Sequence, residues 1–162
     1  EIVGSMHCYR GLDMYERTTY DGVAKDQAVG YYLEDSLKCL EQDPNFDTYG
    51  HIDYICRYWP YEDKNLHYSE HADLWDEVMK HLIRLDKSIE INTRRLAVPG
   101  AVESLTELYT RYAELGGKYV TLGSDAHAAK AVGMHFDVAQ KIAKTAGLTI
   151  VYYKKRQRQL PK

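Results

Sequence analysis

The sequence has few of the features that mark disulfide-bonded, membrane-spanning or nucleic-acid-binding proteins. Its three cysteines are widely spaced and form no C-x-x-C pair, which argues against a disulfide framework or a structural zinc knuckle. No apolar run approaches the roughly 20 residues of a spanning helix, and the N-terminus lacks the basic start and apolar core of a signal peptide. The formal net charge is -3, so no excess of basic residues favours nucleic acid. We therefore expect a cytoplasmic protein that binds neither membranes nor nucleic acid.

What the sequence does contain is typical of one globular domain. Its 162 residues are 44% hydrophobic and 28% charged, so we expect residues 1–162 to form a single domain. Seven histidines and fifteen tyrosines stand out, and histidine is the commonest ligand for transition metals. The chain begins directly with a short apolar strand, from which we expect it to be a piece of a longer protein.

Apolar periodicity predicts four helices that alternate with five strands. The strands are predicted at 2–7, 46–55, 87–92, 119–123 and 148–153, and the helices at 24–40, 74–85 with Ser69 as its cap, 102–115 and 136–147. Residues 57–69 are predicted to form a loop over the site, and 154–158 a solvated basic end. This alternation predicts α/β architecture with parallel β/α units and right-handed crossovers. An open sheet and a closed barrel both fit, but a closed barrel of about 250 residues requires further β/α units before this chain.

Polar residues stand at the carboxyl ends of four predicted strands. They are His7, His51, Asn92 and the pair Asp125 and His127. The carboxyl ends of parallel strands share one face, so we expect these side chains to converge. Imidazole and carboxylate ligands suit Zn, Fe or Mn, which predicts a metal site. Two alternatives remain: Asp-x-His is also common in solvated loops, and His51 could be a hydrogen-bonded core residue.

The segments around these residues resemble successive motifs of the PHP (polymerase and histidinol phosphatase) family, most closely its histidinol-phosphatase branch. They are GSMH at 4–7, GHIDYICRY at 50–58, EINT at 90–93 and LGSDAH at 122–127. The resemblance implies a distorted, TIM-like (β/α)7 barrel that hydrolyses L-histidinol phosphate in histidine biosynthesis. It also implies that His7, His51, Asp125 and His127 are metal ligands. The family's opening His-x-His strand, a further histidine and a glutamate precede the start of this chain, so the N-terminal β/α units are expected to be missing here.

The resemblance further implies two or three divalent transition-metal ions, Zn, Fe or Mn, that activate water near neutral pH. Asp125 and His127 are then the catalytic candidates. Arg57 is the first candidate for holding the phosphate of a small substrate, because a guanidinium matches phosphate bidentately. Arg94, Arg95 and Asn92 are further substrate-binding candidates. For each of the three arginines a surface charge is the alternative, and Arg57 is favoured over the other two.

Two other functions fit the same sequence. One is a PHP phosphoesterase that acts on another small phosphorylated substrate, such as a nucleotide or a sugar phosphate. The other is a non-catalytic PHP-like interaction module that has lost its metals. The Asp125 and His127 pair argues against the second, whereas the missing first motif argues for it.

Overall fold

The computed structural model describes residues 1–161, and Lys162 of the predicted domain lies outside the described residues. Four α-helices pack against one face of a central sheet. They are α1 Lys25–Gln42, α2 Ala72–Arg84, α3 Ala101–Glu114 and α4 Phe136–Thr145. The sheet strands are β1 Val3–Gly4, β4 Thr48–Tyr49, β5 Ser88–Asn92, β6 Tyr119–Gly123 and β7 Thr149–Ile150. Two hairpins complete the strands: β2 Cys8–Tyr9 with β3 Leu12–Asp13, and β8 Tyr152–Lys154 with β9 Gln157–Gln159. Short 3-10 helices lie at Arg17–Tyr20, Tyr54–Arg57, Tyr68–Glu70 and Ala129–Ala131.

The central sheet is parallel throughout, and its strand order is β1-β4-β5-β6-β7. Each strand therefore lies beside the sheet strand that precedes it in the chain, and successive strands are always added at the same edge of the sheet. Right-handed crossovers that always step the same way place every helix on the same face. Consistent with this, α1 contacts α2, α2 contacts α3 and α3 contacts α4. The predicted α/β class with parallel strands is confirmed. Within residues 1–161 the sheet does not close into a barrel.

The two faces of the sheet differ in chemistry. Ile89, Ile91 and Val120 point toward the helices and are fully buried. The alternate positions carry polar side chains, and Thr48 Oγ1 lies 2.9 Å from Thr121 Oγ1 across the strand between them. Side chains alternate along a strand, so this second face is polar along its length. One face thus forms the hydrophobic core with the helices, and the other is polar.

Buried tyrosines account for much of the unusual tyrosine content. Tyr32, Tyr109 and Tyr112 are almost fully buried. Each hydroxyl donates to a main-chain carbonyl: Tyr32 to Ile52 at 3.1 Å, Tyr109 to Glu90 at 2.5 Å and Tyr112 to Lys87 at 3.2 Å. A buried phenol needs such a partner, and these bonds fasten the helices to the strands and their ends.

The helices, β5 and β6 lie where the apolar periodicity predicts them, but four local predictions were wrong. The predicted strand 2–7 is limited to Val3–Gly4. The predicted strand 46–55 ends at Tyr49, because His51 adopts a positive φ of 22° and the Tyr54–Arg57 turn follows. Ser69 does not cap α2, since it lies in the Tyr68–Glu70 turn and His71 precedes the helix. The predicted strand 148–153 divides into β7 and β8.

The basic end 154–158 is largely exposed to solvent, as predicted: residues 154–157 are exposed and Arg158 is half-buried. It is nevertheless part of the β8–β9 hairpin, which folds back against the amino ends of the sheet strands. Arg156 Nε donates to Asp47 Oδ1 at 3.0 Å, and Arg158 contacts Asp86 Oδ1 at 3.0 Å. These ion pairs hold the exposed end against the sheet. In the described part of the chain, no helix is both long and apolar enough to cross a membrane.

Candidate functional site

The residues predicted to converge do lie at carboxyl ends of parallel strands, where they form two groups. The first group is His7, beyond β1, with His51, beyond β4. The second group is Asp125 and His127, beyond β6, together with arginines from the neighbouring loops.

The two histidines of the first group face each other. Their Nε2 atoms are 3.3 Å apart, and their rings stack with centroids 5.1 Å apart and planes 18° from parallel. Two nitrogens bound to one tetrahedral metal at about 2.0–2.1 Å lie roughly 3.3–3.4 Å from each other. The spacing therefore fits two ligands of one ion. It also allows one imidazole N–H to donate to the other ring.

Tyr54 and burial fix the surroundings of this pair. The Tyr54 ring stacks on His7 with centroids 4.3 Å apart and lies 4.9 Å from the His51 ring. His51 is only 8% exposed, and its Nδ1 is buried without a hydrogen-bond partner in the described part of the chain. Such an atom costs about 1–3 kcal/mol unless it gains a partner, which is compatible with a ligand-binding imidazole.

The main chain at His51 is strained and held in place from two sides. A positive φ at a non-glycine residue costs about 1–3 kcal/mol. The His51 N–H donates to Glu90 Oε2 at 2.8 Å, and the next carbonyl, that of Ile52, accepts the Tyr32 hydroxyl at 3.1 Å. Burial lowers the pKa of the His51 imidazole, although the Glu90 carboxylate opposes that shift. The net effect favours the neutral imidazole, which is the form that binds metals.

In the second group, Asp125 is held by two guanidinium groups. Arg57 Nη1 donates to Asp125 Oδ2 at 2.6 Å, and Arg94 Nη1 lies 3.5 Å from the same oxygen and 3.0 Å from the Asp125 carbonyl. The Arg57 guanidinium also lies over the Tyr54 ring, 4.8 Å from its centroid. Its Nε is buried and has no hydrogen-bond partner among residues 1–161, so this guanidinium retains one unused donor.

His127 is exposed, with 70% of its side chain accessible, whereas the Asp125 side chain is 25% accessible. The His127 Nδ1 lies 2.8 Å from the Asp125 carbonyl and 2.7 Å from Arg94 Nη1. One nitrogen cannot donate to the first and accept from the second at the same time. When Nδ1–H donates to the carbonyl, Nε2 is left unprotonated, which is the usual arrangement of a metal-binding histidine.

Two of the predicted substrate-binding residues are committed to internal contacts. Asn92 is buried; its amide donates to Glu90 Oε2 at 3.1 Å and accepts the Arg94 N–H at 3.1 Å. Arg95 is also buried, and it donates to Asp53 Oδ2 at 2.8 Å and to the Lys64 carbonyl. Both ends of the Asn92 amide are used, and the Arg95 charge is already paired. This geometry argues against phosphate binding by either residue.

The sequence reasoning missed Glu90 and Tyr54 as parts of the site. Tyr54 follows His51 by one helical turn and touches both histidines as well as Arg57. Glu90 lies on the polar face of β5 and hydrogen-bonds the His51 main chain. A charged residue inside an apolar strand, two positions before Asn92, was the available signal.

A separate group of potential ligands lies on the 57–69 loop and the turn after it. Ligand atoms of Asp63, His67 and Glu70 lie within 4.8 Å of one another. However, Lys25 Nζ is 2.8 Å from both Asp63 Oδ2 and Glu70 Oε1. The lysine ammonium already supplies the positive charge, so these residues form an ion-pair network that anchors the loop to α1.

Other residues of the predicted loop 57–69 lie elsewhere. Arg57 reaches Asp125, and the buried Trp59 and Leu66 belong to the core.

Comparison with known proteins finds relatives but no matching family model. The chain is 41% identical over 155 residues to a probable histidinol-phosphatase from Clostridium acetobutylicum, covering 96% of this chain and 61% of that protein. It is 32% identical over 147 residues to the histidinol-phosphatase of Lactococcus lactis subsp. lactis, covering 90% of this chain and 55% of that protein. The chain therefore spans little more than half the length of these curated relatives.

A solved structure agrees with the sequence comparison. The crystal structure of histidinol phosphate phosphatase from Lactococcus lactis, complexed with Zn, L-histidinol and phosphate, matches with a TM-score of 0.90 and 29% identity. The match covers 97% of this chain and 60% of that one. Over nearly its whole length, this chain is thus similar in sequence and in fold to part of the histidinol-phosphatases.

Proposed function

We propose that this chain is part of a metal-dependent phosphoric monoester hydrolase that converts L-histidinol phosphate to L-histidinol and phosphate in histidine biosynthesis. The observation that carries the proposal is the His7 and His51 pair, whose Nε2 atoms are spaced as two ligands of one ion. The similarity to histidinol-phosphatases supports the substrate, because a Lactococcus relative was solved with Zn, L-histidinol and phosphate. Membership of the PHP family and the cytoplasmic location belong to the same proposal.

The proposal includes the architecture. Residues 1–162 would form one portion of a distorted, TIM-like (β/α)7 barrel, with the remaining β/α units supplied by sequence that the longer relatives have. Three features of the sheet support this: its strands follow in chain order, its helices share one face, and its other face is polar. In a doubly wound sheet, by contrast, the order in which successive strands are added would reverse partway, and helices would cover both faces.

The metal ligands that we propose are His7, His51, Asp125 and His127. Their nitrogen and oxygen donors suit Zn, Fe or Mn, and two or three ions are expected in the whole protein. A bound divalent ion would supply a Lewis acid for the ester oxygens and would lower the pKa of a coordinated water toward about 7.

The remaining chemistry belongs to residues of this chain. A substrate phosphate would compete with Asp125 for the guanidinium groups of Arg57 and Arg94, and Arg57 Nε offers a further donor. The guanidinium contacts go to Asp125 Oδ2 and to the Asp125 main-chain carbonyl, so Asp125 Oδ1 is the oxygen best placed to accept or return a proton. Tyr54 packs against His7, His51 and Arg57 and so fixes the positions of these three side chains relative to one another.

The test is phosphate release by the intact, metal-loaded protein from L-histidinol phosphate, a nucleoside monophosphate and a sugar phosphate. We expect the highest kcat/KM for L-histidinol phosphate and no turnover by Asp125→Asn. A higher kcat/KM for another ester would make the protein a phosphoesterase of different specificity. No release from any substrate would instead favour the non-catalytic module.

A further inference from the structure

Glu90 occupies a position between three strands at the carboxyl end of the sheet. Its Oε2 accepts the His51 main-chain N–H at 2.8 Å and the Asn92 amide at 3.1 Å. On its other side, the carboxyl group lies against Gly123, the last residue of β6. One carboxylate on β5 therefore connects the end of β4 to the end of β6.

The His51 imidazole depends on its main chain for orientation, in addition to the Tyr54 ring that packs against it. Within residues 1–161, the ring nitrogens have a hydrogen-bonding contact with no side chain except that of His7, and Nδ1 has no hydrogen-bond partner. The main chain has a positive φ, and the Glu90 carboxylate is the one described side chain that hydrogen-bonds it. Loss of that bond would let the turn relax and would move Nε2 away from its position opposite His7.

The contact also requires a glycine on β6. A Cβ at Gly123 would lie 1.7 Å from Glu90 Oε1 and 2.5 Å from its Cδ. At these distances the Glu90 carboxyl group must move away from its present position. The φ of Gly123 is not in the left-handed region, so an alanine could adopt the same backbone. The glycine is needed here for space and not for conformation.

We propose that Glu90 is a positioning residue that holds the His51 turn through the main-chain N–H, and that Gly123 provides the room it needs. The inference rests on the proposed function for the statement that His51 binds metal. The hydrogen-bond role itself does not depend on it. Glutamine can accept the same two hydrogen bonds through its side-chain carbonyl, whereas it lacks the negative charge of a metal ligand or a general base.

Four variants of the intact protein test the proposal: Glu90→Ala, Glu90→Gln, Gly123→Ala and the double variant Glu90→Ala/Gly123→Ala. Zinc affinity is measured by competition with a chromophoric chelator, and melting temperature is recorded for each. We expect Glu90→Ala to weaken zinc binding about 10- to 100-fold, as loss of a supporting hydrogen bond to a ligand does. Glu90→Gln should stay close to wild type.

Gly123→Ala should reproduce the loss without altering the chemistry of Glu90. In the double variant the clashing carboxylate is absent, so the second substitution should add little to the first. A Glu90→Gln loss as large as that of Glu90→Ala would overturn the proposal in favour of a charge-dependent role. Unchanged zinc affinity in Glu90→Ala, or a lower melting temperature alone, would overturn it in favour of a purely structural role.

A metal-free measurement separates this inference from the proposed function. In histidine-labelled protein, the His51 amide proton bound to a carboxylate should resonate downfield, and the ring protons of His7 and His51 should show a mutual nuclear Overhauser effect. Both signals should be lost in Glu90→Ala and in Gly123→Ala, and the ring contact should persist in Glu90→Gln. If wild-type protein binds no zinc, the proposed function fails, while this spectrum still decides whether Glu90 positions His51.

Discussion

Replacing Arg57 by alanine is the most informative perturbation of the candidate site. Arg57 Nη1 lies 2.6 Å from Asp125 Oδ2, its side chain is 10% exposed, and its Nε has no hydrogen-bond partner among the residues that the structure describes. If the guanidinium holds the substrate phosphate in the ground state and in the transition state alike, Arg57→Ala should mainly raise KM. A charge-assisted hydrogen bond of about 1.5–3 kcal/mol corresponds to roughly a 10- to 150-fold loss of kcat/KM.

Two matched variants sharpen this prediction. Arg57→Lys should recover only part of the loss, because an ammonium cannot replace the bidentate fork of a guanidinium. Arg94→Ala is the control, since Arg94 is 34% exposed and lies farther from Asp125 Oδ2, at 3.5 Å. Exposed charges are screened by water, so its loss should be smaller than that of Arg57→Ala.

The assay is steady-state phosphate release from L-histidinol phosphate, with KM and kcat determined separately. A fall in kcat at unchanged KM would show that Arg57 acts through the Asp125 carboxylate and not on the phosphate. A larger loss in Arg94→Ala than in Arg57→Ala would refute the assignment. The phosphate would then lie near the end of β5.

Three further predictions follow from the same contacts. Asp125→Asn should abolish phosphatase activity with little change in melting temperature, because it removes a ligand charge and almost no volume; near-normal turnover would exclude the ligand role. Elemental analysis of the intact protein should find two or three transition-metal ions, and chelation should remove activity that added metal restores; metal-free protein with full activity would contradict this. Arg95→Ala should destabilise the fold by about 3–5 kcal/mol in urea denaturation, because it leaves the buried Asp53 carboxylate unpaired, and a large rise in KM instead would place Arg95 at the substrate.

The long elements were predictable because their apolar periodicity agrees with the tertiary packing. In α2, for example, Trp75, Val78, Met79 and Leu82 recur on one face and are all buried. The predicted strand 46–55 shows the limit of that reasoning. Its sequence continues to suit a strand beyond Tyr49, but the chain turns at His51, where a hydrogen bond from the His51 N–H to the Glu90 carboxylate, 39 residues away, supports the turn. The ion pairs of the C-terminal hairpin are equally long-range and leave no local signal.

The candidate ligands were predictable for a different reason: the carboxyl ends of parallel strands meet at one edge, whatever their sequences. The phosphate-binding candidates were harder to separate, because Arg94 and Arg95 are adjacent and chemically identical. Both follow β5 in the turn at 94–97, where the alternation of a strand no longer applies, so the sequence pattern does not separate them. The tertiary contacts do: Arg94 contacts Asp125 and His127, whereas Arg95 turns to Asp53 in the interior. Alternation does hold within β5, where Glu90 lies two positions before Asn92 and therefore on the same polar face. Counting back by two from Asn92 thus identifies the carboxylate that supports His51.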